Sequence, residues 1–410
     1  MSEKSNEASP VTDSGSERVA VGDIVEVEIG KIAHGGHCVA RYNGQVIFVR
    51  YAIPGEIAKV EITSVNSKMA RGDAIEILKP SSHRVSAPCQ YAVPGGCGGC
   101  DFQHVDLAYQ RTLKSEVIVE QFARLGGLEI SCDVLEVAPA DGLFWRTRMD
   151  FAIGSSGRIG LYGNRSNDVI EIHDCLIADE LIDVPTLAAR KWSGKDRVEA
   201  AATSTGQVNV SRAGRSISGP TQLVEVIPTN SGEFEYQISP QSFWQSHLNA
   251  PATLINKVME LIEVQSGDIV CDLYGGAGLF TAPLAQAVGP QGRVHLIESS
   301  ARAIADAQKI FKGVGNVEIH SGRVEARLPK IARTDIVLLD PPRTGAGEEV
   351  IDVITRLHPT TIVYVSCDPA SLARDAKLLL ENGYAMDHIV GFDLFPMTQH
   401  VECVARFRPN

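Results

Sequence analysis

The stretch DIVCDLYGGAGLFTAPLAQAV, residues 268–288, reads as a short apolar strand, a glycine-rich turn at Gly275-Gly276-Ala277-Gly278 and an apolar helix. The same rhythm continues downstream. Strands are expected at RVHLIES (293–299), VEIHSG (317–322), DIVLLD (335–340) and TIVYVSC (361–367). Helical spacing fills the gaps, as in ARAIADAQKIFKGV (301–314) and ASLARDAKLLLENG (370–383). Short apolar strands alternating with helices predict a parallel, doubly wound α/β sheet over residues 241–410. Two further strands are expected at YAMDHIVGFDL (384–394) and HVECVARFR (400–408).

Ligands of such sheets bind at the carboxyl ends of the strands. Glycines in the first turn let a ligand approach the backbone, and Glu298 ends the next strand, where it can accept hydrogen bonds from ribose hydroxyls. The turn carries Asp272, which would repel a pyrophosphate but not a cationic sulfonium. This combination predicts S-adenosylmethionine rather than a dinucleotide. Asp272, Glu298, Asp340 and Cys367 are then expected to line one crevice.

Cys367 sits where a strand passes into a helix, and a helix N-terminus favours a thiolate. A cysteine beside a methyl donor suggests attack on C6 of uracil, which turns C5 into a nucleophile. That scheme needs a base for the C5 proton, and Glu402 in His400-Val401-Glu402-Cys403 is the candidate. The plainer readings are a small buried cysteine and a surface carboxylate.

Outward from this region, residues 133–240 read as β-rich, with candidate strands in FWRTRMDFAIG, GRIGLYG and DVIEIHDC. Residues 105–126 have helical spacing and stop at Gly126-Gly127. Residues 18–80 alternate apolar and polar positions between frequent turns, which predicts a small β-barrel. If that barrel binds oligonucleotides, Lys31, Arg41, Arg50, Lys68 and Arg71 are expected on one surface. Residues 1–17 read as a disordered tail. The expected domains are therefore 1–17, 18–80, 81–240 and 241–410.

The 410 residues are 44% hydrophobic and 21% charged, ordinary globular values that exclude wholesale disorder. No apolar run reaches membrane-span length, and the first residues lack the apolar core of a secretory signal, so a cytoplasmic protein with no membrane partner is expected. The formal net charge of -12 argues against a wholly electrostatic nucleic-acid binder. Residues 18–84, however, hold nine Lys/Arg against seven Asp/Glu. Nine cysteines in a reducing compartment are better read as ligands or nucleophiles than as disulfides. Cys89, Cys97 and Cys100 cluster in a Gly-rich loop and suggest a metal or cluster site, with a fourth ligand from elsewhere.

Taken in order, DLYGGAG, LIES, DPPR, SCDP and HVE resemble the motifs of the bacterial RNA uracil-C5 methyltransferases, class I enzymes acting on 23S ribosomal RNA or transfer RNA. Residues 18–80 resemble that family's TRAM domain, an OB-like RNA-binding barrel. The resemblance implies Cys367 as nucleophile and Glu402 as base. It implies Gln245, Tyr274, Glu298 and Asp340 as contacts to S-adenosylmethionine. It also implies Cys175 as the fourth cysteine of a [4Fe-4S] cluster, with zinc as the alternative metal and Cys38 and Cys132 as competing ligands. The expected substrate is RNA, with 23S ribosomal RNA favoured over transfer RNA, and the expected state is a monomer. Leu279 and His247 depart from the family pattern at positions that bear on donor contact.

Other classes fit less well. A cytosine-C5 enzyme would carry a Pro-Cys motif after the fourth strand, where this chain has Asp340-Pro341-Pro342. An amino-group methyltransferase would place an aromatic residue at Arg343. A non-catalytic RNA-binding iron–sulfur protein would have no need of Cys367, Asp340 and Glu402 together.

Overall fold

The computed structural model describes residues 18–410, so the tail expected at 1–17 lies outside the described residues. The chain forms two compact units that part between Arg84 and Val85. Among the described residues no helix is long and apolar enough to cross a membrane.

The first unit is a closed barrel of β1 (Ile24–Ala33), β2 (His37–Tyr42), β3 (Gln45–Arg50), β4 (Ile57–Val65) and β5 (Ala70–Lys79), in the order β1-β2-β3-β5-β4. Alternation drives it: Val25, Val27 and Ile29 of β1 point inward with Val60 and Ile62 of β4. Buried Glu56 closes one end, accepting from Arg84 Nε and Nη2 (both 2.6 Å) and from the N–H groups of Ile53 and Ser81. One expectation fails here. Arg50 is buried, with its guanidinium 4.7 Å from the Tyr51 ring, so it does not join exposed Lys31, Arg41 and Lys68 on the surface. Its stem and fork cover an aromatic face instead.

The second unit opens with α1 (Leu107–Gln121), capped by Asp106, which accepts from Tyr109 N, and β6 (Val134–Glu136). Next come β7 (Arg148–Ile153), β8 (Ile159–Tyr162), β9 (Val169–Glu171), α2 (Val184–Ala189), β10 (Val198–Ala202), β11 (Val208–Arg212) and β12 (Arg215–Ser218). These strands form one antiparallel sheet ordered β12-β11-β10-β7-β8-β9. A hairpin of β13 (Leu223–Thr229) and β14 (Gly232–Ile238) follows.

The remainder alternates helix and strand: α3 (Ala250–Ile262), β15 (Ile269–Leu273), α4 (Thr281–Val288), β16 (Arg293–Glu298), α5 (Ala301–Ile310), β17 (Val317–Ser321), α6 (Val324–Arg327), β18 (Ile336–Leu339), α7 (Glu348–Arg356), β19 (Thr361–Ser366), α8 (Pro369–Glu381), β20 (Tyr384–Asp393) and β21 (Glu402–Pro409). The sheet order is β17-β16-β15-β18-β19-β21-β20-β6. Its first five strands are parallel, β21 runs against β19, and the strand order reverses at β15/β18. Successive residues feed opposite cores: Val270 and Leu338 pack with α3 and α4, whereas Cys271 and Leu339 pack with α7 and α8. One edge is completed by β6, which comes from before residue 241 and pairs with β20.

A buried ion pair ties α1 to this edge. Lys114 Nζ lies 2.5 Å from Asp393 Oδ1 and donates to Phe395 O, with both side chains almost wholly buried. Burial pulls the Lys114 pKa down, opposed by Asp393. Asp393→Ala strands a buried ammonium and is expected to cost about 3–5 kcal/mol in urea unfolding. Lys114→Met combined with Asp393→Leu should recover much of that loss.

Candidate active site

The ends of four strands meet in one open cleft. It is lined by Gln245, Tyr274, Glu298, Asp340, Cys367 and Glu402, together with Phe243, Arg343 and Phe395. Register explains why Cys367 and Glu402 share it. Ser366 of β19 pairs with Cys403 of antiparallel β21, so Cys367, one step further, comes opposite Glu402, one step earlier. Helix α8 begins directly after Cys367, with Asp368 as its cap accepting from Ser371 N.

The turn after β15 forms the floor on the other side. Tyr274 is held at φ 60 and Gly276 at φ 58, left-handed conformations that cost a tyrosine energy and a glycine little. Gly278, at φ 98, lies against the Phe311 ring, where a Cβ would collide. Glu298 fastens the turn: Gly276 N–H donates to Oε2 (3.0 Å), and Ser299 and Ser300 N–H donate to Oε1 (2.7 and 2.6 Å).

Gln245 approaches from a separate segment held by Asp306 of α5. That buried carboxylate accepts from Ser239 N (2.9 Å), Ser239 Oγ (2.8 Å) and Ser242 Oγ (2.5 Å). A second clamp holds the loop after Asp340-Pro341-Pro342-Arg343. Buried Asp375 of α8 accepts from Tyr364 Oη (2.6 Å) and Ala346 N (2.7 Å).

Carboxyl groups are concentrated here, and burial disfavours their charged forms. Burial pushes Asp340 up to about 7, with help from Asp272. Glu402, 3% exposed, is raised well above the usual carboxylate range by burial and then by Asp340, while Arg343 opposes. Two expectations are corrected. Asp272 does not line the crevice: it is buried beneath the turn, accepts from Thr281 Oγ1 and is pushed up to about 7 by burial. The Cys367 thiol is not lowered by the helix start. Burial, then Glu402 and Asp340, push it up to about 12, and Arg343 only partly offsets them. Desolvation and two carboxylates outweigh one helix terminus.

Neither Leu279 nor His247 lines the cleft itself, although Leu279 lines an adjoining hollow with Gln245, Tyr274 and Asp340. Leu279 is buried in the core, and its carbonyl accepts from Tyr236 Oη (2.7 Å). His247 stacks on Trp145, 5.6 Å between centroids, and its Nδ1 accepts from Asn249 N.

Cys89, Cys97, Cys100 and Cys175 line a separate small pocket. Gln103 Nε2 and Gly99 N–H donate to the sulfurs of Cys100 and Cys97 (both 3.3 Å). Backbone N–H groups of Ile177 and Ala178 serve Cys175. The competing cysteines are occupied otherwise: Cys38 Sγ donates to Ala52 O inside the barrel, and Cys132 is buried in the core with Cys403. The cysteine loop is joined to the loop leading to Glu402. Asp101 and Phe102 N–H donate to Met397 O (both 2.9 Å), and Gln399 N–H donates to Asp101 Oδ2 (3.2 Å).

Asp306, Asp375, Gln103 and Gln110 support these sites and were not singled out in the sequence. Asp306, Asp375 and Gln110 act on residues distant in the chain, whereas Gln103 serves Cys100 three residues away; only an acidic residue inside an amphipathic helix hinted at Asp306 and Asp375.

The family model described as tRNA (Uracil-5-)-methyltransferase matches residues 195–407, and the TRAM domain model matches residues 18–75. An uncharacterized RNA methyltransferase of Streptomyces coelicolor is 40% identical over 98% of this chain and 96% of its own length. One from Corynebacterium glutamicum is 33% identical over 95% of this chain and 98% of its own. The solved structure of Pyrococcus abyssi tRNA (uracil-54, C5)-methyltransferase, in complex with S-adenosyl-L-homocysteine, shares the fold. It aligns with a TM-score of 0.68 at 23% identity, covering 93% of this chain and 99% of that one.

Proposed function

The chain belongs to the S-adenosylmethionine-dependent RNA uracil-C5 methyltransferase family, and from that membership we propose that it forms 5-methyluridine with Cys367 as nucleophile and Glu402 as base. The observation that carries this reading is the apposition of Cys367 and Glu402 in the cleft that also holds Gln245, Tyr274, Glu298 and Asp340.

S-adenosylmethionine supplies an electrophilic methyl on a cationic sulfur. Gln245, Tyr274, Glu298 and Asp340 would hold it, with Glu298 at the ribose hydroxyls. Uracil C5 is a weak nucleophile until Cys367 Sγ adds to C6 and leaves negative charge on C5 and O4. C5 then takes the methyl. The Glu402 carboxylate removes the C5 proton, the electron pair restores the C5–C6 double bond, and Cys367 departs as thiolate. One proton is released per turnover. A base raised by burial suits this proton transfer.

Because Cys367 is held up near 12, the thiol form dominates at neutral pH and only the thiolate adds to uracil. The single-turnover rate at saturating RNA is therefore expected to rise from pH 6 to 9 by about tenfold per unit. A profile that falls over this range, measured by rapid quench, would contradict the thiolate requirement.

The four-cysteine pocket fits an iron–sulfur cluster. It offers four sulfurs, apolar walls and N–H donors to Cys97, Cys100 and Cys175. We take the group to be a [4Fe-4S] cluster, with zinc as the alternative metal for four thiolates. It would hold the cysteine loop in place; none of the proposed steps needs an electron.

The RNA is 23S ribosomal RNA in this reading, acted on by a cytoplasmic monomer whose domains divide at 18–80, 81–240 and 241–410. The pairing of a TRAM barrel with a four-cysteine pocket supports it. Transfer RNA is the second reading, favoured by the family model's description. Anaerobically purified protein, S-adenosylmethionine and separate 23S and transfer RNA pools, tritiated at pyrimidine C5 and lacking the modification, decide between them. Tritium release with methyl found on uridine is expected from the 23S pool. Release from transfer RNA alone selects the second reading. Methyl transfer without tritium release removes the roles given to Cys367 and Glu402.

A further inference from the structure

Two parallel edge strands bring a second set of ligating side chains together, away from the cleft and from the cysteines. Residue pairing sets His295 of β16 beside Glu318 of β17, and Ile297 beside His320. Side chains two apart on a strand share a face, so His295, Glu318 and His320 gather on one side of the sheet. One ligand atom from each lies within 4.8 Å of the other two. His295 Nδ1 and His320 Nε2 are 3.0 Å apart, and each is 3.6 Å from a carboxylate oxygen of Glu318. The imidazoles are mostly buried, 12% and 20% exposed, while Glu318 is 48% exposed and leaves the group open to solvent.

We propose that His295, Glu318 and His320 form a binding site for a divalent first-row transition-metal ion. Two imidazoles and one carboxylate are the donor set such ions take, with further positions left for water. The spacing agrees. Two nitrogens 3.0 Å apart, each about 2.05 Å from a metal, subtend about 94°, the angle of adjacent positions in an octahedral or square-planar complex rather than a tetrahedral one. Without an ion the two rings share one proton in a hydrogen bond. Arg293 Nη1, 3.5 Å from Glu318 Oε2, is the cation that competes for the carboxylate.

The position gives the site a consequence. Strand β16 ends at Glu298, and Gly322, just beyond β17, donates its N–H to Glu298 O (2.8 Å). An ion at His295 and His320 ties the edge strand to the strand that presents Glu298.

The test is titration of the full-length, cluster-loaded protein with Ni²⁺ by calorimetry, followed by X-ray absorption at the nickel edge. One ion is expected to bind with nitrogen and oxygen ligands and no sulfur. His320→Ala should weaken binding by at least the roughly 10–100-fold that even outer-shell changes produce. Arg293→Gln should tighten it by freeing Glu318, a change that a purely structural triad would not produce. Sulfur in the nickel shell, or wild-type affinity in His320→Ala together with no tightening in Arg293→Gln, would overturn the proposal.

Discussion

Cys367→Ala is expected to bind S-adenosylmethionine normally and to lose methyl transfer by at least about 10⁴-fold, or about 5.5 kcal/mol of barrier. The loss is large because no neighbouring group can replace the thiol. Glu402 and Asp340, the carboxyls that act most strongly on the thiol, are buried and raised in pKa, and Arg343 is a cation. Uracil would then have to react from C5 without prior addition at C6. The proposed donor contacts lie on other elements, Glu298 on β16 and Gln245 on the segment held by Asp306, so equilibrium dialysis should show unchanged donor binding. Rapid-quench methyl transfer within about tenfold of wild type would remove Cys367 from the chemistry.

Glu402→Gln is expected to fail differently. Turnover should fall by about 10²–10⁴-fold, while protein and RNA accumulate as a covalent adduct stable in denaturing gels. The methyl has been delivered, the C5 proton has no acceptor, and Cys367 cannot leave. Glutamine keeps the size of the side chain and removes the carboxylate that raises the Cys367 thiol. Adduct formation should therefore be at least as fast as in wild type. Rapid tritium release with no adduct would reassign the base. The pair of variants brackets the reaction, since one blocks entry to the covalent state and the other blocks exit from it.

The parts of this site legible in the sequence were those written in adjacent residues. The turn at Tyr274–Gly278, the Asp340-Pro341-Pro342-Arg343 run and the Ser366-Cys367-Asp368 step each sit at a strand end, and the topology carries strand ends to one cleft. Glu402 could be named from its motif, but its place opposite Cys367 depends on antiparallel register between β19 and β21. What could not be read was set by partners far apart in the chain. Strand β6 joins the sheet through contacts with residues 391–393. Asp306 holds a segment more than sixty residues earlier. The thiol of Cys367 answers to Glu402 and Asp340 as well as to its own helix, which is why a local helix-terminus argument gave the wrong direction. Arg50 looked like surface charge in a barrel strand, but it lies in register with Asp73 of β5, a partner set by the barrel's strand order, and is buried.

The clasp between residues 101–114 and 393–399 spans 279 to 298 positions of chain. At about 5–20 residues per second on the ribosome, its two halves are made roughly 15–60 s apart. The cysteine loop must therefore wait, its partner loop unmade, while β15–β18 are still being synthesised. Contacts of such long separation close late, after local pairings have formed. A nascent chain that has already assembled β15–β18 still lacks the clasp and the carboxylate beyond it. Glu402, the proposed base, thus joins the cleft only after β15–β18 have been made.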